Sequence, residues 1–123
     1  MFLNLLKGEE KAAFLTLARR VISADSDIAQ KEMTLLDSMK REMELEDELE
    51  LKMAEGSIEQ LCAVFSSSKS KVSALMELIG IGFVDGKFVH EEQEVIFEIA
   101  RHMGISKEET TMYIDWARRV YVN

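Results

Sequence analysis

Apolar residues recur along this chain at the three- and four-residue intervals that place them on one face of a helix. Phe14, Leu17, Ala18 and Val21 form one stripe, Leu36, Met39 and Met43 a second, and Val72, Leu75, Met76, Ile79 and Phe83 a third. Val95, Ile96, Ile99 and Met103 form a fourth, and Tyr113, Trp116 and Val120 a fifth. Each stripe needs a partner face. The pattern therefore predicts an all-α fold, a compact bundle of about seven helices, with limits at 9 to 24, 29 to 43, 47 to 54, 57 to 66, 69 to 84, 90 to 103 and 107 to 121. There is no proline to interrupt any of them.

Polar punctuation supports the same division. Ser57-Ile58-Glu59-Gln60 and Ser106-Lys107-Glu108-Glu109 are capping-box patterns, in which a serine oxygen and the side chain three residues on each accept an otherwise orphaned amide. Gly104 follows Met103 where a left-handed C-terminal residue is expected, Gly56 closes the segment before Ser57, and Ser66-Ser67-Ser68 reads as an inter-helix loop.

A shift of 60 positions lays Ala24-Asp25-Ser26-Asp27-Ile28 over Val84-Asp85-Gly86-Lys87-Phe88. Glu32 then falls on Glu92, Leu36 on Ile96, Met39 on Ile99 and Met43 on Met103. Apolar pattern and turn chemistry agree together, which predicts a single domain over 1–123 with two related helix-turn-helix halves, about 10–48 and 70–108.

Composition narrows the classes of partner. The 123 residues are 47% hydrophobic and 31% charged, as in a globular domain, and no run approaches the roughly 18 to 20 apolar residues of a membrane span. The apolar start Met1 to Leu6 is cut off by Lys7 before a signal-peptide core forms, and Cys62 is the only cysteine, so a cytoplasmic location is expected. The net charge is −8, with Glu42, Glu44, Glu46, Asp47, Glu48 and Glu50 close together. That balance repels phosphate, so nucleic acid is not expected as a partner and an anionic membrane is a poor one. The acidic run suits a solvated helix face or a docking surface for a basic protein partner.

The two acidic turns are the candidate site. An EF-hand loop takes ligands from positions 1, 3, 5, 7, 9 and 12 with glycine at 6. Setting Asp85 at position 5 puts Gly86 and Glu92 at 6 and 12, but Ile81 and Phe83 then stand at 1 and 3 and cannot coordinate a hard cation. An ordinary EF-hand is excluded. The same residues also suit a plain turn, with Asp85 bonding turn amides, Phe88 plugging the core and Glu92 facing the positive end of the next helix. Were the two turns to lie close, Asp25, Asp27, Glu32, Asp85, Glu91 and Glu92 would supply oxygens for a divalent metal ion, calcium fitting that ligand type best.

Val84-Asp85-Gly86-Lys87-Phe88-Val89-His90-Glu91-Glu92, with Gly104-Ile105-Ser106 after it and Ala24-Asp25-Ser26-Asp27-Ile28 with Glu32 before, resembles the TerB-like domains of bacterial tellurite-resistance proteins. The resemblance covers roughly residues 10 to 121. It implies an all-helical domain with internal duplication, acidic residues Asp25, Glu32, Asp85 and Glu92 toward a divalent cation, and a non-enzymatic role in tellurite or other stress responses. Related domains also serve as interaction modules, including in a co-chaperone. Ser26 replaces the first glycine, Val84 an alanine, and Ala29 and Val89 stand where a capping serine is often found. The alternative function is a metal-independent protein-interaction module that uses the acidic 42 to 50 surface or an apolar groove.

Other constellations carry less. His90-Glu91-Glu92-Gln93-Glu94 lacks the second histidine of a His-Glu-x-x-His zinc site. Gly80-Ile81-Gly82 follows helical periodicity without a preceding strand or lysine, so it predicts close helix approach and not a nucleotide loop. Cys62 reads as a small core hydrophobe, Met33, Met39, Met43, Met76 and Met103 as core filler, and Trp116 as the core anchor of the last helix.

Overall fold

The computed structural model describes residues 6–24, 30–47, 54–84 and 88–121. Among the described residues there are six helices: α1 (Gly8–Ser23), α2 (Gln30–Asp47), α3 (Ile58–Cys62), α4 (Ser68–Phe83), α5 (His90–His102) and α6 (Lys107–Tyr121). The fold is all-α. The helix expected at 47 to 54 falls mostly on positions outside the described residues, and what is described of it is the last residue of α2 and a non-helical Ala54.

The stripes of the first four long helices meet in one core. Phe14, Leu17, Ala18 and Val21 of α1, Leu75 and Ile79 of α4, and Ile96 and Ile99 of α5 are all fully enclosed. α1 packs against α2, α3, α4 and α5, while α4 packs against α1, α2, α5 and α6. Met43 and Met103 are buried, and Met33 and Met39 pack against the core from its edge.

The helix starts recur at one interval, although α2 and α5 differ in length, 18 residues against 13. Gly8 to Ser68 and Gln30 to His90 are each 60 positions apart, α1 and α4 are both 16 residues long, and both end alike. The Ala24 amide donates to the Val21 carbonyl and the Val84 amide to the Ile81 carbonyl, each at 3.2 Å. α4 is buried on further sides as well, at Ala74, Leu78 and Ile81.

Helix starts follow the sequence closely. The Gln60 amide donates to Ser57 Oγ (3.1 Å) and the Ser57 amide returns to Gln60 Oε1 (2.8 Å), completing the expected box. Ser106 Oγ accepts the Glu109 amide at 3.1 Å, but the Glu109 carboxylate is engaged by the Tyr113 hydroxyl. At the end of α5, Gly104 adopts φ 76°, and Ile105 N–H reaches the Ala100 carbonyl (2.9 Å) while Gly104 N–H reaches that of Arg101 (3.1 Å). This is a Schellman motif, and it turns the chain directly into α6.

α3 is shorter than expected because its end is captured by α1. Phe65 N–H bonds the Cys62 carbonyl (3.2 Å) in a tightened turn, and the next amide, Ser66, donates to Glu10 Oε2 at 2.8 Å. The other oxygen of Glu10 accepts the Lys7 amide (2.8 Å). One carboxylate thus caps α1 and fixes the α3–α4 connection. Further along α1, the Thr16 hydroxyl donates to the Ala54 carbonyl and the Arg20 guanidinium to the Gly56 carbonyl, both at 2.5 Å. Positions 16 and 20 are one turn apart, so a ridge of α1 straps down the chain leading into α3.

Candidate functional site

At the acidic corners the sequence-predicted residues divide. Asp25, Asp27 and Asp85 lie outside the described residues, as does the side chain of Glu32, whose backbone belongs to the first turn of α2. Glu91 is exposed in the first turn of α5. Glu92 beside it is 2% exposed, and its Oε1 accepts the Val89 amide at 3.3 Å, so it closes the helix N-terminus from inside the fold. Among the described residues no three His, Cys, Asp or Glu side chains are grouped to hold a metal ion.

The end of α4 next to this corner is filled by aromatic rings. Phe88 packs edge-on against Phe83 with centroids 4.7 Å apart, and Tyr121 of α6 stacks on Phe83 at 6.5 Å. The Arg118 guanidinium sits 5.8 Å from the Phe83 centroid, within cation–π range. Both glycines of Gly80-Ile81-Gly82 make room for these rings. A methyl group on Gly82 would lie 2.9 Å from the Phe88 ring, and one on Gly80 would lie 3.0 Å from the Tyr121 hydroxyl. Close approach is what the glycine pair provides, as the helical periodicity implied. Phe88 does plug this end of the bundle.

The last helix differs from expectation. Its core face is Thr110, Ile114 and Ala117, and the Thr110 hydroxyl is satisfied within the helix by the Ser106 carbonyl at 2.8 Å. Trp116 is not a core anchor: it is 40% exposed, and Val120 is 53% exposed. The helix is rotated by about one residue, roughly 100°, from the orientation the stripe Tyr113, Trp116, Val120 predicts. Tyr121, itself 48% exposed, lies beside Gly80 and stacks on Phe83 from the same side of α6 as Ile114 and Ala117, while Trp116 is left outside.

A row of large apolar side chains therefore faces solvent. Met112 is 65% exposed and precedes Trp116 by one turn, as Trp116 precedes Val120. Met112 and Trp116 line a shallow pocket of about 560 Å³ together with Met76, Tyr113, Asp115 and Arg119. Asp115 and Arg119, also one turn apart, form the charged flank of the row. No protein-family model, no curated protein and no solved structure matches this chain. A second hollow, about 780 Å³, runs along the outside of α5 from His90 to the α5–α6 turn, with Phe97 and Ile105 among its lining. Ile105 is buried and Phe97 packs against the core, so the apolar groups there already support the fold. The row on α6 has no such employment.

Among the described residues, Cys62 and His90 have structural surroundings that account for them. Burial, reinforced by the charge of Glu98 and opposed by that of Lys71, pushes the Cys62 thiol up to about 11, so it stays protonated and unreactive near neutrality. Cys62 is 1% exposed, with Sγ 3.7 Å from the Ile99 carbonyl, as a small core hydrophobe would be. His90 pairs on the surface with Glu94 at 2.9 Å. Met112 is the residue that sequence reasoning missed. Its signal is the spacing Met112, Trp116, Val120, which competes in the same helix with Thr110, Ile114, Ala117.

Proposed function

We propose that this chain is a non-enzymatic helical interaction domain that holds a protein partner on the outer face of α6. The observation that carries this reading is the row Met112, Trp116 and Val120, exposed while the opposite side of the same helix completes the core. Full burial of side chains of this size is worth about 1.5–3 kcal/mol each, and Trp and Met are enriched where proteins dock. Polar side chains at the margin, Asp115 and Arg119, would orient the partner. The test is site-specific crosslinking in cells. A photoreactive residue replacing Met112 is expected to give discrete adducts, and the same residue replacing Glu42, exposed on α2, is not. Adducts equal at both positions, or absent at Met112, would contradict the reading.

A second reading is favoured by the 60-residue recurrence of helix starts. On it the chain is a duplicated TerB-like domain acting in tellurite or metal stress in the cytoplasm, and Asp25, Asp27, Glu32, Asp85, Glu91 and Glu92 bind a divalent cation, calcium for preference. The matching ends of α1 and α4 support equivalent turns after each. Calorimetric titration with calcium, magnesium and zinc tests it, with the Asp85→Asn variant expected to lose binding and keep its helical dichroism. An absence of heat and of thermal shift at millimolar ion would remove it.

A further inference from the structure

We infer that residues 54–60 form a strap latched to α1, which releases as one unit while the core beneath it stays closed. The inference does not depend on what the outer face of α6 holds. Three hydrogen bonds make the latch. The Ala54 amide donates to the Ala12 carbonyl at 3.4 Å, the Thr16 hydroxyl to the Ala54 carbonyl at 2.5 Å, and the Arg20 guanidinium to the Gly56 carbonyl at 2.5 Å. Positions 12, 16 and 20 are successive turns of α1, so all three bonds come from one side of it.

Little apolar surface holds the strap besides these bonds. Glu55, Ser57, Glu59 and Gln60 are exposed, and Ala54 and Ile58 are only partly buried. Enclosure begins at Leu61, and Cys62 and Phe65 follow it inside. Beyond them Glu10 fixes the Ser66 amide at 2.8 Å, so the far end of α3 is anchored both by burial and by a carboxylate. Release therefore stops at Leu61. The capping box between Ser57 and Gln60 lies within the unit, and a helix of five residues cannot keep its first turn without outside support. A segment with few enclosed apolar groups and exposed hydrogen bonds belongs to the part of a fold that opens at lowest cost.

The second half of the chain shows a firmer closure on the corresponding side. Sixty positions after Thr16 and Arg20 stand Met76 and Gly80 of α4. Here α6 lies against them: Met76 shares a hollow with Met112 and Tyr113, and Tyr121 lies beside Gly80. That 15-residue helix is packed through the buried Ile114 and Ala117. On α1 the corresponding positions hold a strap by polar groups, and this difference makes the first half the one that opens.

Native-state hydrogen exchange of the full chain in low concentrations of urea tests this. The Ala54 amide is expected to exchange at least about 100-fold faster than those of Leu17 and Ile99, and at a rate nearly independent of urea, because release exposes little surface. Ile79→Val, in the enclosed core, is expected to speed Leu17 and Ile99 several-fold and leave Ala54 unchanged. Thr16→Val keeps the branched shape and removes the hydroxyl, so Ala54 should exchange about tenfold faster. The Cys62 thiol lies past the hinge, and its reaction with a thiol reagent should follow the core amides in urea. An Ala54 amide that shares the urea slope of the core, or that responds to Ile79→Val, would overturn the inference, as would Thr16→Val leaving its rate unchanged. A Cys62 thiol that reacts with the urea independence of Ala54 would place all of α3 in the moving unit and overturn the hinge at Leu61.

Discussion

Glu10 shows how much one side chain can organise. Burial, its largest influence, pushes the carboxyl up, but the amides of Lys7 and Ser66 and the hydroxyls of Ser70 and Ser66 outweigh it and hold the group below its ordinary value. A carboxyl held low when folded contributes stability that is complete above the unfolded carboxylate range and is lost as pH falls through the folded value. Glu10→Gln is therefore expected to lower stability by about 1–3 kcal/mol at neutral pH, with the gap to wild type closing on acidification; urea melts across pH check it. The two helix glycines give a second, graded expectation. Gly82→Ala drives a methyl into the side of the Phe88 ring, which is packed against Phe83, and should cost about 1–3 kcal/mol, while Gly80→Ala meets only the far end of Tyr121 and should be close to neutral. Equal effects in thermal melts would contradict this. Both glycines stood out in the sequence as sites of close approach, but which ring each admits depends on the fold. Glu10 left no comparable mark, because its second partner, Ser66, is 56 positions away.

Among the elements, α1 and α5 were legible because each carries one apolar stripe with polar residues opposite, and so has one way to face a core, whereas α4 was legible because its second half is apolar and buried nearly all round. α6 was not. It carries apolar residues on two faces, Ile114 and Ala117 on one and Met112, Trp116 and Val120 on the other, and periodicity cannot choose between them. The face that is buried is the one on which Thr110, Ile114 and Ala117 meet the core, with Tyr121 stacked on Phe83 at its end. Truncation distinguishes the faces. Ile114→Ala should cost about 2–5 kcal/mol, whereas Met112→Ala should cost well under 1 kcal/mol; chemical denaturation of the two variants checks the order. Caps were read well because they depend on residues three apart, while the short α3 was not, because Glu10 and the strap from Thr16 and Arg20 act across the fold.

At the scale of the whole molecule, a complete core lies beneath a helix whose outer row is left unburied. Exposed rows of this kind mark association surfaces in proteins that keep their other apolar groups inside. The acidic turns, drawn into view by the sequence, put Glu92 to structural use at the start of α5, and their aspartates lie outside the described residues. The claim that α6 is turned with Trp116 outward is the one on which the docking role depends. Trp116 is the sole tryptophan, so its fluorescence in dilute protein tests that claim most directly. Emission red-shifted from that of an enclosed indole and ready quenching by acrylamide are predicted, because Trp116 is 40% exposed. Blue-shifted emission that resists quenching in dilute, monomeric protein would contradict it.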